Sequence, residues 1–386
     1  MIEPLSSNRK TNMDFEPLHQ YLESLHERYG IQVYGCSVHL NGSTVFRAGN
    51  DTSTGLDFFH LYSATKPLTG FCAMQLIEQG KLGLYDRVSD YLPAFRHMTV
   101  ANGKQLQAIQ TPLRIHHLLS MSGGFDYDDD FAQMHALLDG NGQVRCADAV
   151  SLLAQRPLHF EPGTHYMYGL GLDILGAIIE KISGISLDTY MEQHIFRPIG
   201  SRNLTFTPDD TQIARMPLQQ YRNGIGPEKD NLFLHARHFP SGGCGLCGTV
   251  DDYMLFLDML ANDGVSASGT RLLERETMNL FRTPMLAQQA QAELLRARAE
   301  PELQGLGVRV RPIPPLRGMY ACDGAAGAYG FASKESKVSF FFATHLIHEP
   351  EMYTHVHPTL FRLACTALGD RIFDRCDLPK NRIYSI

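Results

Sequence analysis

The chain contains no tryptophan in 386 residues, so no site in it can be built on an indole. It has no block of Lys and Arg, and 34 basic residues face 41 acidic ones, for a formal net charge of −7. A nucleic-acid footprint needs the opposite balance, which argues against nucleic acid as a partner. No apolar run is long enough to span a bilayer. Met1–Phe15 are polar and lack the hydrophobic core of a secretory leader. The expectation is a cytoplasmic protein with no membrane partner. Cysteines are few and scattered: Cys36, Cys72, Cys146, Cys244, Cys247, Cys322, Cys365 and Cys376. That spread predicts free thiols rather than a disulfide scaffold. Internal repeats and low-complexity tracts are also missing.

Metal-ligand patterns are thin. Cys244-x-x-Cys247 has no second such pair and sits in the run Ser241-Gly-Gly-Cys-Gly-Leu-Cys-Gly. Small buried residues in a tight turn suit it better than half of a zinc site. His345, His348, His355 and His357 are broken up by Pro350 and Pro358 and read as loop residues. No metal and no cofactor are expected.

What is present is a chain that is 44% hydrophobic. It is long enough for two domains, or for one large domain with an insertion. Its most informative stretch is Ser63-Ala64-Thr65-Lys66. Residues at i and i+3 of a helix share a face, so Lys66 can reach the Ser63 hydroxyl and take its proton. The first N–H groups of a helix also suit an oxyanion. Pro67 follows, then Leu68, Phe71, Cys72, Gln75 and Leu76 on one helical stripe, and Gly80 as a stop. The tetrad alone fits a capping serine with a solvated lysine equally well. Ser7-Asn8-Arg9-Lys10 has the same pattern but no apolar period to hold a helix.

Val33–Ala48 reads as a hairpin about Asn41-Gly42. Helical spacing covers Leu113–Met121, Ala147–Ala154, Asp173–Ile182, Ser186–Ile195, Val250–Asn262, Thr283–Glu300 and Leu360–Leu368. Strands are predicted at Leu306–Val310, Met319–Cys322, Ala328–Phe331 and Lys337–Thr344. The last is apolar on both faces and suits the centre of a sheet. One sheet is therefore expected from residues 1–93 and 245–386, with 94–244 inserted as a mainly helical domain.

Two further stretches carry candidate chemistry. Tyr168 precedes a helix, after the turn at Pro162-Gly163; a phenol near an ammonium can act as a base, although a packed tyrosine is the commoner case. Cys322-Asp323-Gly324-Ala325 lies between strands. There a backbone N–H can meet an oxyanion, or the segment is an ordinary turn. Asp126, Asp128, Asp129 and Asp130 form an acidic run that is either a solvated loop or a selector of cationic groups.

In this order and spacing, the three elements resemble the penicillin-recognising serine hydrolases. The resemblance is to class C β-lactamases and, more, to family VIII carboxylesterases. It extends through Gly80–Pro93, Ile115–Gly124, Ser183–Gly200 and Gly242–Tyr253, over roughly residues 20–370. It implies an α+β fold, an antiparallel sheet flanked by helices with an inserted helical domain, and an active site in the cleft between them. By position it implies Ser63 as the acylated nucleophile, Lys66 as its activator and Tyr168 as base or proton shuttle. Ser63 and Ala325 would supply the oxyanion N–H groups, with Gly324, Asp323, Cys322 and Leu170 at the substrate.

Two departures bear on the substrate. Leu170 stands where lactamases carry an asparagine, as in the esterase branch. Cys322-Asp323-Gly324 replaces Lys-Thr-Gly, and Asp323 is expected to repel a substrate carboxylate. The expected activity is hydrolysis of an ester of a small neutral or cationic acyl substrate. The alternatives are an amidase or D-amino-acid peptidase, an acyltransferase, and a non-catalytic ligand-binding homologue.

Overall fold

The computed structural model describes residues 13–103, 105–127, 145–220, 239–297, 301–312, 318–347 and 349–369. The tetrad at Ser7, Asp128, Asp129, Asp130, His348 and Cys376 lie outside the described residues.

The strands are β1 (Tyr34–Leu40), β2 (Ser43–Gly49), β3 (Phe59–His60), β4 (Thr99–Asn102), β5 (Gln105–Ala108), β6 (Cys247–Gly248), β7 (Leu303–Gln304), β8 (Arg309–Val310), β9 (Tyr320–Asp323), β10 (Tyr329–Ser333) and β11 (Val338–Thr344). Seven form one antiparallel sheet in the order β2-β1-β11-β10-β9-β8-β7. Strands before residue 50 therefore pair with strands after residue 300, in register from Tyr34 opposite Thr344 to Leu40 opposite Val338. At the β1–β2 turn, Asn41 and Gly42 have φ of 54° and 72°, the backbone that an Asn-Gly hairpin demands.

Every residue of β11 is buried, because both faces of the sheet are covered. The pleat sends Val338, Phe340 and Phe342 to one core and Phe341 and Ala343 to the other. Helices α1 (Glu16–Glu23) and α6 (His357–Leu368) close the first face. Between them in the chain come α2 (Lys66–Glu78), α3 (Ile115–Leu119), α4 (Gly171–Ser183) and α5 (Val250–Ala261). α5 covers the second face, and α2, α3 and α4 pack into the same continuous core. Thr249 caps α5 by accepting the Asp252 N–H.

The expected stripe on α2 is not a stripe. Every residue from Lys66 to Leu76 is buried, so the helix is a central rod with no solvent face. Gly80, at φ 68°, ends it as expected. The strand expected over Leu306–Val310 shortens to β8, because Gly307 turns the chain at φ 90°. The helix expected from Thr283 starts at Gln288. The β4–β5 hairpin was not anticipated. β5 is exposed at every position, so it has no inside–outside alternation to read. Among the described residues, no helix is long and apolar enough to cross a membrane.

Candidate active site

Ser63 sits in a one-turn 3₁₀ helix, Tyr62–Thr65, that runs straight into α2. Tyr62 has φ 45°, a left-handed backbone that is strained for a bulky residue. Hydrogen bonds help hold it there. The Thr65 hydroxyl donates to Tyr62 O at 2.6 Å, and the Tyr62 phenol donates to Gln219 Oε1. Ser63 is partly exposed, while Lys66 is buried.

Lys66 Nζ donates to Ser63 Oγ at 3.0 Å, Tyr127 Oη at 2.7 Å and the Gly243 carbonyl at 2.8 Å. All three ammonium protons are thus placed. The carbonyl can only accept, whereas both hydroxyls can also donate. Once the lysine is neutral, its lone pair falls toward a hydroxyl, and Ser63 is one of the two. This is the Ser63–Lys66 contact that the tetrad predicts.

Tyr127, inside the acidic run, joins the site through Lys66 and was not among the candidates the sequence offered. Burial holds its phenol well above the ordinary range, so it stays protonated. Asp173 is a second such residue, in the first turn of α4. Its Oδ1 accepts from the Ser241 hydroxyl and from Gly243 N at 3.2 Å, and its Oδ2 has no hydrogen-bond partner among the described residues. Burial raises its pKa, opposed by the Ser241 bond and then by the Lys66 charge. A Cβ on Gly243 would lie 2.3 Å from Asp173 Oδ2 and 2.9 Å from Tyr127 Oη, so only glycine admits both neighbours.

Tyr168 lies beside Lys66, but through its ring. The ammonium is 4.6 Å from the ring centroid, and no hydrogen bond joins the Tyr168 hydroxyl to Ser63 or Lys66. Tyr168 does line the small cleft at Ser63, with Lys66, Met121, Gln304, Arg309, Cys322 and Asp323. Met121 is also left-handed, at φ 57°. Two of the non-glycine residues with positive φ thus flank one cleft, as strained residues at functional sites do.

The third motif is only partly as expected. Cys322 and Asp323 line the cleft. Gly324 presses on the nucleophile turn, where an added Cβ would be 2.2 Å from Leu61 O. Ala325, partly exposed, opens the turn beyond it. Leu170 is completely buried and does not line the cleft. Asp323, expected to repel a substrate carboxylate, is not a lone charge. Arg309 Nη2 lies 2.7 Å from Asp323 Oδ2, and Arg309 Nε lies 2.9 Å from Glu302, so the charge is offset inside the wall.

Among the described residues, no three His, Cys, Asp or Glu side chains gather as a metal site. Cys244 and Cys247 are separate buried thiols, against Ser241 and His60 respectively. His345 accepts from Gln32 N and Val33 N and donates to Leu218 O, which makes it a structural strut. Asp126 pairs with His159 at 2.6 Å.

Esterase EstB of Burkholderia gladioli is 30% identical over 240 residues, 53% of this chain and 58% of that protein. A putative D-alanyl-D-alanine carboxypeptidase of Escherichia coli is 27% identical, over 65% of this chain and 61% of that protein. The chain therefore spans about three-fifths of the length of these curated relatives. Among solved structures, EstCE1, described as a hydrolase with promiscuous acyltransferase activity, superposes with a TM-score of 0.74 at 24% identity, covering 91% of this chain and 98% of that one. Simvastatin Synthase (LovD) from Aspergillus terreus superposes with a TM-score of 0.73 at 19% identity, covering 93% of this chain and 98% of that one. Both show the fold. The Beta-lactamase family model matches residues 18–358, and the chain belongs to that family.

Proposed function

We propose that the chain is a serine hydrolase that cleaves a carboxylic ester through an acyl-enzyme on Ser63. The observation that carries this reading is the 3.0 Å bond between a buried lysine and a serine hydroxyl that opens onto a cleft. In this reading Lys66 takes the Ser63 proton as Oγ bonds to the ester carbon. The N–H groups of Ser63 and Ala325 receive the oxyanion. The C–O bond then breaks; Tyr168, the phenol on the cleft wall, passes its proton to the leaving alcohol and regains one from Lys66, which can then take the next proton from water. Tyr127, off the cleft and held protonated, keeps Lys66 in place. Water repeats the sequence and releases the acid.

The charges on the cleft wall are already paired, Arg309 with Glu302 and Asp323. A small neutral acyl group fits that balance, and a cationic substrate loses the support that a free Asp323 would have lent it. A second reading, transfer of the acyl group to an alcohol or amine, is supported by a relative described as a carboxylate methylbutanoyltransferase, from Penicillium citrinum.

The test is intact mass during turnover of a short-chain p-nitrophenyl ester, for the wild type and Ser63→Ala. The reading requires an added acyl mass that is missing in the variant. An equal adduct on both would overturn it. Faster turnover with an added alcohol, without more acid released, would select the transferase.

A further inference from the structure

The turn Gly324–Gly327 between β9 and β10 carries Ala325, and its own bonds are few: Gly324 N to Ala328 O at 2.8 Å and Gly327 N to Gly324 O at 2.9 Å. The Ala325 N–H has no acceptor among the described residues. An oxyanion donor has to be aimed before the substrate arrives, because its worth lies in needing no reorganisation. A two-bond turn does not supply that aim by itself.

The turn is clamped from both sides. Inward, Gly324 lies against Leu61 O beside the nucleophile. At Gly327, φ 91°, an added Cβ would be 2.6 Å from Thr344 Cγ2 and 2.8 Å from Met352 Cε. Outward, His357 Nε2 donates to Gly327 O at 3.2 Å, and the Tyr353 hydroxyl donates to Gly324 O at 3.4 Å. Both donors come from one place. A π-helical turn, Met352–Val356, runs into α6 and brings Tyr353 and His357, four residues apart, to the same side. Such wide turns are costly in a helix and concentrate at functional sites.

His357 is itself fixed. It is buried, stacked on Tyr329 at 4.6 Å and 10°, and met edge-on by Tyr353 at 5.4 Å and 86°. Burial pushes its pKa down to about 4, so the ring is neutral, and the Gly327 carbonyl selects the Nε2–H tautomer. Aromatic packing alone would be served by phenylalanine. What phenylalanine lacks is the N–H to the turn.

We propose that His357, assisted by Tyr353, is a positioning residue that holds the Gly324–Gly327 turn so that the Ala325 N–H faces the oxyanion. This rests on the acyl-enzyme reading above. The test compares His357→Phe, which keeps the ring and loses the donor, with His357→Gln, which restores an N–H near the Nε2 position. Kinetics on the p-nitrophenyl ester are read beside hydrogen exchange of the peptide spanning residues 320–331 and thermal midpoints.

The expected result for H357F is a kcat lower by on the order of 10- to 100-fold, less than the loss of an oxyanion donor itself. KM should stay within about twofold of wild type, exchange at the turn should quicken, and H357Q should recover most of the rate. Unchanged exchange and kcat in H357F would overturn the proposal. So would a loss that follows the thermal midpoint in both variants. Wild-type protein that forms no adduct on Ser63 would sink the hydrolase reading alone. Faster exchange in H357F would then still uphold the bracing of the turn, and unchanged exchange would overturn it.

Discussion

Lys66 has three N–H donors and three partners, only one of which is the nucleophile. The two tyrosines near it differ in what they face. Tyr168 lines the cleft and Tyr127 does not. Tyr168→Phe is therefore expected to lower kcat by on the order of 10²-fold or more, the scale of general acid–base catalysis. Tyr127→Phe, which removes a holder of the lysine, should cost about 10-fold, the weight of roughly one hydrogen bond to a charged group. Steady-state kinetics of the pair decide it, and a larger loss in Tyr127→Phe would exchange the two roles. Ser63 and Lys66 were legible because three residues of chain separate them. Tyr127 was not, because it meets Lys66 across 61 residues and sits in an acidic run that draws the eye to charge. Asp173 did leave a signal, a carboxylate in the otherwise apolar first turns of a helix, Gly-Leu-Asp-Ile-Leu-Gly. Only the fold shows that it turns toward Gly243.

At the scale of elements, the site is made where three backbones converge: the nucleophile turn, the start of α4 and the glycine run at 241–245. Gly243→Ala tests that convergence. A methyl 2.3 Å from Asp173 Oδ2 must displace one of them. Overpacking of this kind costs about 1–3 kcal/mol. The expected outcome is a lower thermal midpoint together with a kcat loss larger than the stability change explains, because the Gly243 carbonyl moves off Lys66. A fully active Gly243→Ala protein would show that the approach is not needed. The order of elements was readable from periodicity, and β11 most of all, because seven consecutive residues with no polar face suit only a strand covered on both sides. α2 was read as one-sided because periodicity cannot separate a face from a helix buried all round. The identity of its neighbours, α4 and the run at 241–245, is tertiary information.

For the whole molecule, buried neutral histidines set the acid limit. His60 and His357 are pushed down to about 4 and His117 to about 3, each mainly by burial, from 6.5. A depressed histidine stays neutral when folded, while the unfolded chain takes up its proton near 6.5. Its contribution is complete above 6.5 and is lost as pH falls toward the folded value, at up to about 1.4 kcal/mol per pH unit for each group. Asp173 and Glu180, raised by burial, act in the opposite sense, but they are fewer than the depressed histidines, which also include His345, His116 and His194. The thermal midpoint should therefore fall steadily from pH 6.5 to 4.5. A flat midpoint by calorimetry across that range would contradict this.

The pairing of β1 with β11 also has a consequence in time. On the ribosome, the first hairpin emerges with one edge lacking its partner, and that partner lies about 300 residues downstream. At roughly 5–20 residues per second, translation leaves the edge open for about 15–60 s. Codon changes that slow the region between the two strands should lengthen the exposure of that edge and lower the soluble yield.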